Sequence, residues 1–395
     1  MFKKIASNTL AQLVAKFFGA GLTLLTTYYT IRLAGIDLYG DLTKILVLVA
    51  VGFTSIDFGL NAQGLRQGKD DLSMQKSLQN ILFTRLFLSF LIIGALNLLV
   101  VVLPGGYSSQ LKSIFWLASL AIIFQGIYTS GNAWFQYKLS YWRSTISVII
   151  GSLVTTLLTF YYLKSSPTLS HLILANTLGY LTMSVSTLFL LPRLSILFPL
   201  SSVLPTLRRS LILGFILIAS VLASKIDTIM LGIFRLSSEV GQYGFAYRIF
   251  DVILVLPVFV MNSLYPILLK GNSWKIVLKT IYVMGAIGVF IAIATYLSSP
   301  LIVFIKPGLS ISINVIKILS FGLPFFYLTA PLMWHLISIR KEKIVLLVYA
   351  SAAVFNGVSN YFFIPHYGAY AAATLTGLTE LFIFLWLLYY SFKEI

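Results

Sequence analysis

The chain has no cysteine and few charged residues, and each shortage limits what the protein can be. Without thiols there is no disulfide framework, no thiolate metal site and no cysteine nucleophile. Only 10% of the residues are charged, while 58% are hydrophobic. Soluble domains carry about 25% charged residues. A soluble core would be too small to bury this much apolar surface, so the sequence indicates that the chain lies in a lipid bilayer.

Enzyme motifs are also missing. No Gly-rich phosphate-binding loop ending in Gly-Lys-Ser/Thr occurs, so we expect no ATP hydrolysis by this chain. There is no HExxH helix and no GxSxG nucleophile turn, and the three histidines lie far apart in the sequence. We therefore expect a protein that is not an enzyme, with no catalytic residue, no bound metal and no cofactor.

Long apolar runs make up most of the chain. A helix needs about 20 apolar residues to cross the hydrocarbon core. Segments that qualify are found at 8–31, 40–61, 79–103, 112–135, 144–163, 169–191, 209–234, 244–269, 275–298, 313–338, 344–363 and 369–391. The segment 299–312 is too short to span, and its place at the interface or inside the membrane stays open. The sequence thus predicts an all-α polytopic membrane protein with twelve transmembrane helices.

Acidic residues are few, and the distribution of the basic ones indicates an orientation. The chain carries 28 Lys and Arg against 11 Asp and Glu, a net charge of +17. With twelve spans, 17 of the basic residues lie on the side of both termini and five on the other. Because loops rich in Lys and Arg stay inside, we predict cytoplasmic termini. The charges are spread over many loops, unlike those of a nucleic-acid binder.

A short pattern occurs once in each half of the chain. Tyr39-Gly40 is followed by Lys44, and Tyr243-Gly244 is followed by Arg248 at the same spacing. This repeat predicts two six-helix lobes related by a pseudo-two-fold axis along the membrane normal. We place them at 1–195 and 209–395, joined by a cytoplasmic linker at 196–208.

Charged residues inside the predicted spans are the candidates for function, because a charge in hydrocarbon is costly and usually faces the protein interior or a watery cavity. They are Lys16, Lys44, Asp57, Arg85, Lys225, Asp227, Arg248, Asp251, Lys317 and Glu380. We expect Asp57, Arg85 and Lys317 to snorkel or to form local pairs. Lys16 and Lys44 are interpreted as lacking an acidic neighbour one turn away, which favours a solvated cavity.

Two groups of candidate site residues follow. Arg248 and Asp251 are three positions apart, and Asp227 lies at a similar depth on the preceding helix. This favours a cluster of these three residues, with a structural and a functional role equally open. Cations facing a cavity suit an anionic head group, so the candidate substrate-binding residues are Lys16, Lys44, Lys225 and Arg248. The candidate coupling-ion or charge-cluster residues are Asp227, Asp251 and Glu380.

Four stretches show that the chain resembles the polysaccharide transporter family of the multidrug/oligosaccharidyl-lipid/polysaccharide flippase superfamily, and within it the O-antigen-type flippases. The stretches are LAGIDLYGDL (33–42) with SIDFGL (55–60), the long run 225–268, LPFFYLTAPL (323–332), and NGVSNYFFIPHYGAYAAATLTGLTEL (356–381). The resemblance covers nearly the whole chain, and the second-half run is its most specific part.

The resemblance implies a pair of lobes around a cationic cavity in the bacterial inner membrane. It implies transfer of an undecaprenyl-pyrophosphate-linked oligosaccharide to the outer leaflet by alternating access, with membrane lipids, a polymerase and chain-length proteins as partners. Basic residues at the places of Lys16, Lys44 and Arg248 are essential in related lipid II flippases. Two alternatives remain open, a cation-coupled multidrug exporter and a membrane-embedded polysaccharide polymerase or ligase.

Overall fold

The computed structural model describes the backbone at 2–68, 70–193, 200–270 and 274–393, and the side chains there except at 2–13, 15, 16, 66, 259, 262, 263, 265–267, 269 and 270. Within these residues the fold is helical and contains no β-strand. The predicted all-α class is therefore confirmed. Because a bilayer offers no water to backbone groups, helices that satisfy their own hydrogen bonds are the expected outcome.

The helices follow one another with short connections. In the first half they are α1 (Phe2–Tyr29), α2 (Ile36–Asp57), α3 (Leu60–Gln67), α4 (Asp71–Val102), α5 (Ser109–Tyr137), α6 (Tyr141–Ser165) and α7 (Leu169–Leu190). They continue as α8 (Leu200–Phe234), α9 (Ser237–Ile253), α10 (Val255–Lys270), α11 (Trp274–Ser298), α12 (Ser310–Ser338) and α13 (Glu342–Lys393). A π-helical turn, Thr30–Ala34, leads from α1 towards α2.

The chain divides into two compact units, Met1–Ile218 and Ala219–Ile395. In the first unit, α5 packs against α2, α4 and α7, and α6 packs between α1 and α7. In the second unit, α12 packs against α9, α10, α11 and α13. The division falls inside α8, and residues 200–208 of the predicted linker form the first turns of that helix. Residues 196–199 lie outside the described part of the chain.

The protein is a multi-pass membrane protein. Nine helices among the described residues are long and apolar enough to cross a bilayer. One of them, the 52-residue α13, contains two of the predicted spans on either side of a break at Gly368. Another predicted span, 244–269, is divided between α9 and α10. The number twelve itself stays a prediction.

The break between α2 and α3 depends on Arg85. Phe58 and Gly59 adopt left-handed backbone angles, with φ of 47° and 67°, which costs a non-glycine residue about 1 kcal/mol. Arg85 is fully buried on α4. It donates to the carbonyls of Ile56 at 3.1 Å and Asp57 at 3.3 Å, and pairs with the Asp57 carboxylate at 2.9 Å. Of the two possibilities expected for Arg85 and Asp57, snorkelling or local pairing, the structure shows pairing, here with each other, and the pair satisfies the end of a helix.

A second break separates α9 from α10 near Pro257. Proline has no N–H, so the carbonyl four residues earlier, that of Ile253, loses its partner in the helix. The buried Tyr327 on α12 donates its hydroxyl to this carbonyl at 2.9 Å. A side chain from a neighbouring helix therefore replaces the missing backbone hydrogen bond, as membrane helices require.

The third break, at Gly368 in α13, requires glycine. Its φ of 56° is left-handed, and a Cβ at this position would collide with the side chains of Glu239 and Arg235. Glu239 accepts a hydrogen bond from the Ala369 N–H at 2.7 Å and pairs with Arg235 at 3.3 Å. The carboxylate thereby caps the second half of α13.

The segment 299–312 begins as a 3₁₀ helix, Ser299–Phe304, and joins α11 to α12. Ser299 and Ile302 are buried, while Leu301 and Phe304 expose 60% and 80% of their surfaces. The candidate membrane span Trp274–Phe304 includes this turn, so both interpretations left open by the sequence stay open.

Replacing Arg85 tests the role assigned to it. Arg85→Leu leaves the carbonyls of Ile56 and Asp57 without their partner, and a buried acceptor left without a hydrogen bond costs about 1–3 kcal/mol. We expect a clearly lower thermal unfolding midpoint for the purified protein, measured by size-exclusion chromatography after heating. Lys164→Leu, at an exposed position on α6, is the control. Equal midpoints for the two variants would contradict the assignment.

Candidate functional site

Lys44, on α2, is buried in the first unit and makes local contacts. Its side chain is 2% exposed, and Nζ donates to the Gly106 carbonyl at 2.7 Å. It also pairs with Asp41 at 3.4 Å. The expectation that Lys44 has no acidic neighbour and faces a solvated cavity is therefore wrong for this structure. Asp41 lies three residues earlier, which places it on the same helix face.

Two further predicted cations, Lys16 on α1 and Arg248 on α9, are less fully described. The side chain of Lys16 lies outside the described residues. Arg248 is half-buried on α9 and engages neighbouring groups. Their proposed contact with an anionic substrate stays a prediction.

Lys225, on α8, is held by two groups from α9. Its Nζ lies 3.2 Å from the Asp251 carboxylate and 4.2 Å from the centre of the Tyr247 ring. Lys225 is 21% exposed and Asp251 42% exposed, so solvent weakens the ion pair. The Tyr247 hydroxyl donates to the Ser224 carbonyl at 2.9 Å and fixes the ring. Together these contacts hold the lysine against α9.

Asp227 is two residues from Lys225 but serves a different set of partners. Its carboxylate is 1% exposed. It accepts from the Tyr243 hydroxyl at 2.5 Å, the Thr376 hydroxyl at 2.8 Å and the Thr228 N–H at 2.5 Å. Such complete hydrogen bonding is what a buried carboxylate needs to remain stable.

The two acids of the predicted cluster of Asp227, Arg248 and Asp251 have separate partners in the described contacts, and the place of Arg248 beside them stays a prediction. Asp227 bonds to Tyr243 and Thr376, and Asp251 pairs with Lys225. The Lys225 side chain reaches Asp251 near the end of α9, while Asp227 is bonded to Tyr243 earlier on α9 and to Thr376 on α13.

Glu380 lines a cavity of about 220 Å³ within the second unit. The residue is 7% exposed, and within the described residues it forms no ion pair. The Thr329 hydroxyl lies beside its carboxyl group, and Tyr349 and Met333 lie along the same wall. Of the three candidate acids Asp227, Asp251 and Glu380, Glu380 is the one that lines this cavity.

Thr376 connects the two buried carboxylates. It lines the Glu380 cavity and donates to Asp227 at 2.8 Å. One turn on, Thr379 also lines the cavity and accepts from the Asn356 amide at 2.8 Å. Asn360 donates to the Asn356 side chain at 2.7 Å. The second unit thus contains a buried polar region with two carboxylates close to one cavity.

Sequence reasoning missed the neutral members of this region. Thr376 and Thr379 lie in a run of small residues, which is typical of a helix-packing surface. Asn356 and Asn360 lie four residues apart, so both are on one face of α13. That spacing, in a membrane helix where an amide needs a partner, is the signal that would have found them.

Residues 31–269 match the family model described as polysaccharide biosynthesis protein. No significant match was found among curated protein sequences.

Several solved structures share the fold at low identity. The lipid II flippase MurJ, in an inward closed conformation, is 14% identical with a TM-score of 0.76, over 97% of this chain and 87% of that one. The MATE multidrug transporter DinF-BH is 15% identical with a TM-score of 0.68, over 99% and 95%. A variant of the Vibrio cholerae MATE transporter VcmN is 14% identical with a TM-score of 0.65, over 99% and 97%. At these identities the likeness establishes the fold.

Removing one hydrogen bond from Asp227 tests how strongly the buried carboxylate is held. Tyr243→Phe deletes a bond to a buried charge, and we expect a loss of about 1.5–3 kcal/mol. The measurement is the thermal unfolding of the purified protein, followed by the fluorescence of its six tryptophans.

The matched control is Tyr349→Phe, which removes only a weak 3.4 Å contact to the Met333 sulfur. We expect this variant to unfold close to wild type. If both substitutions lowered the midpoint equally, the Tyr243 hydroxyl would have no special part in holding Asp227.

Proposed function

The chain belongs to the polysaccharide biosynthesis protein family, and from this premise we propose that it is a flippase for a lipid-linked oligosaccharide. The substrate is an undecaprenyl-pyrophosphate-linked repeat unit of an O-antigen, capsule or related polysaccharide. It passes from the cytoplasmic to the outer leaflet of a bacterial inner membrane by alternating access. The chain carries out transport and no catalysis, and its termini lie in the cytoplasm.

The observation that supports this most is the likeness of fold to a protein described as a lipid II flippase over 97% of the chain. The energetic cost of moving the substrate's head group across the membrane also supports a flippase. A sugar-pyrophosphate head group does not cross hydrocarbon unaided, because each unpaired polar group costs several kcal/mol there. A membrane protein with polar interiors lowers this barrier. The family also assigns the chain to polysaccharide synthesis, which requires that step.

We assign recognition of the pyrophosphate to the basic residues Lys16, Lys44, Lys225 and Arg248. Lys44 and Lys225 already pair with Asp41 and Asp251. A pyrophosphate carries more charge than one carboxylate, so it competes with these partners for the ammonium groups. The lysines act as point charges, while Arg248 offers two parallel hydrogen bonds.

We assign coupling to the buried carboxylates of the second unit. The sequence has no nucleotide-binding loop, so energy has to come from an ion gradient or the membrane potential. Glu380 faces the cavity, and Asp227 lies behind Thr376 on its wall. Either carboxylate suits a proton or a small cation. Asp251 is the weaker candidate, because it is 42% exposed and paired with Lys225.

A multidrug exporter driven by a cation is the alternative, and Glu380 is the observation that favours it. A buried carboxylate in a cavity also attracts a cationic drug, and MATE transporters share the fold. Against it stand the family match and the excess of intramembrane bases, six against four acids. A polymerase or ligase is less well supported, because none of the short connections in the described chain forms an external domain.

The first test is lipid extraction from cells that lack the protein, followed by mass analysis of polyprenyl-linked glycans. We expect single lipid-linked repeat units to accumulate and wild type to clear them. Lys44→Ala combined with Arg248→Ala removes two contacts worth about 1.5–3 kcal/mol each, so clearance should fall at least about tenfold.

The outcomes separate the proposals. Clearance by the double variant would support the flippase function but exclude Lys44 and Arg248 as substrate-binding residues. Unchanged glycan lipids, together with new sensitivity to cationic drugs in the deletion strain, would refute the flippase in favour of the exporter.

The coupling residues are tested in the same strain. Glu380→Gln and Asp227→Asn keep the size of the side chain and remove its charge, so we expect each to accumulate glycan lipid at normal protein levels. Glu342→Gln, at the start of the same helix as Glu380, should clear it like wild type. Normal clearance by both test variants would exclude these carboxylates from coupling.

A further inference from the structure

A second cavity lies within the first unit, between α1, α5, α6 and α7. Its volume is about 200 Å³. That is the space of roughly seven water molecules at about 30 Å³ each, close to one sugar ring and too small for an oligosaccharide. Gly151 and Gly179 form part of the wall. A Cβ on Gly151 would lie 2.8 Å from the Gly179 carbonyl, so a larger residue would force apart the crossing of α6 and α7.

The lining is polar and carries no charge. Nine of its fourteen residues bear a hydroxyl or amide group, and none is Asp, Glu, Lys, Arg or His. This is the opposite of the Glu380 cavity in the second unit. A bare cation would find no carboxylate here, and a phosphate would find no cation. Because a charge is costly to bury without a partner, the cavity suits a neutral, hydrogen-bonding ligand.

The amides of Gln125 and Asn176 are available to such a ligand. No hydrogen bond joins either side chain to another residue in the described part of the chain. Both are half-buried and line the cavity. Each amide offers two donors and one acceptor oxygen, which matches a hydroxyl group that both donates and accepts. Half-buried amides without a protein partner have to be satisfied by water or by a ligand.

The hydroxyl groups of the wall add acceptors. Thr23 donates to the Gly19 carbonyl, Thr26 to the Thr23 carbonyl and Thr156 to the Ser152 carbonyl, at 2.8, 2.9 and 2.8 Å. A hydroxyl whose proton is used in this way keeps its lone pairs for an incoming O–H. Tyr128 and Tyr180 also line the cavity, and an aromatic face packs well against the C–H face of a sugar.

We propose that this cavity binds a neutral monosaccharide unit of the transported glycan, with Gln125 and Asn176 as its specificity-determining residues. The inference rests on the proposed function, because it takes the glycan as the substrate. Under this proposal, two chemically different sites recognise different parts of one substrate molecule. The basic residues act on the pyrophosphate, and the neutral cavity reads the hydroxyl pattern of a sugar.

The absence of native cysteine makes a direct binding test possible. Ser152→Cys, which is nearly isosteric, and Thr155→Cys each place a single thiol in the cavity wall of the full chain. Reaction with N-ethylmaleimide is followed by intact mass, with and without glucose or N-acetylglucosamine. Leu157→Cys on α6, at a residue 66% exposed, is the control outside the cavity. Glucuronate serves as the charged comparison sugar.

We expect a neutral sugar at twice its dissociation constant to slow labelling of both cavity cysteines about threefold, by simple mass action. Labelling of Leu157→Cys should not change, and glucuronate at the same concentration should protect weakly or not at all. Equal labelling with and without every sugar would mean that the cavity holds water only. Failure of both cavity thiols to react would mean that small ligands do not reach it. Either result overturns the inference.

A cell assay keeps this failure separate from failure of the proposed function. Gln125→Leu combined with Asn176→Leu should accumulate lipid-linked repeat units, while Gln136→Leu, at the exposed end of α5, should not. Suppose that wild type clears the units, that the double variant clears them equally, and that no sugar protects the thiols. These results would support the flippase function and contradict the sugar site. If wild type itself leaves the level of glycan lipids unchanged, the proposed function is contradicted.

Discussion

The structure depends on the rule that a backbone N–H or C=O group inside a bilayer needs a partner within the protein. Three membrane helices are interrupted, and at each break a side chain replaces the lost bond. Arg85 satisfies the end of α2, the Tyr327 hydroxyl satisfies the carbonyl freed by Pro257, and Glu239 caps the second half of α13. These partners stabilise irregular turns, and the turns determine where the helices change direction. They also explain why buried polar residues are found at the helix breaks.

The same rule separates the charged residues by role. Arg85 and Asp227 are buried and fully hydrogen-bonded to protein groups. Glu380 is buried but faces a cavity, and the first-unit cavity has no charge at all. A lipid-linked glycan is itself divided into a charged pyrophosphate and neutral sugars. The chemistry of the interior therefore contains counterparts for both parts of the proposed substrate, and a carboxylate that suits the proposed coupling ion.

Much of the fold was readable from the sequence, because apolar runs of membrane length have few alternatives. The break within α13 was also signalled, since two predicted spans meet at Gly368.

The site was less readable. Asp41 was overlooked beside Lys44 although it lies three residues away, and Asp227 was grouped with Asp251 because depth in the membrane was used in place of direction around the helix. The partners Tyr243 and Thr376 are distant in sequence, so only packing between α8, α9 and α13 reveals them. Neutral residues such as Gln125 and Asn176 give no charge signal, and their importance depends on the cavity they line.

The most direct test of the account is a measurement of leaflet transfer. Purified protein is placed in sealed vesicles that contain the lipid-linked repeat unit in both leaflets, and periodate that does not cross the membrane oxidises the sugars exposed outside. About half of the glycan is reachable without transfer. With active protein and an ion gradient, the account predicts that nearly all of it becomes reachable, and that Glu380→Gln returns the fraction to half. A fraction that stays at half with the wild-type protein would contradict the central claim.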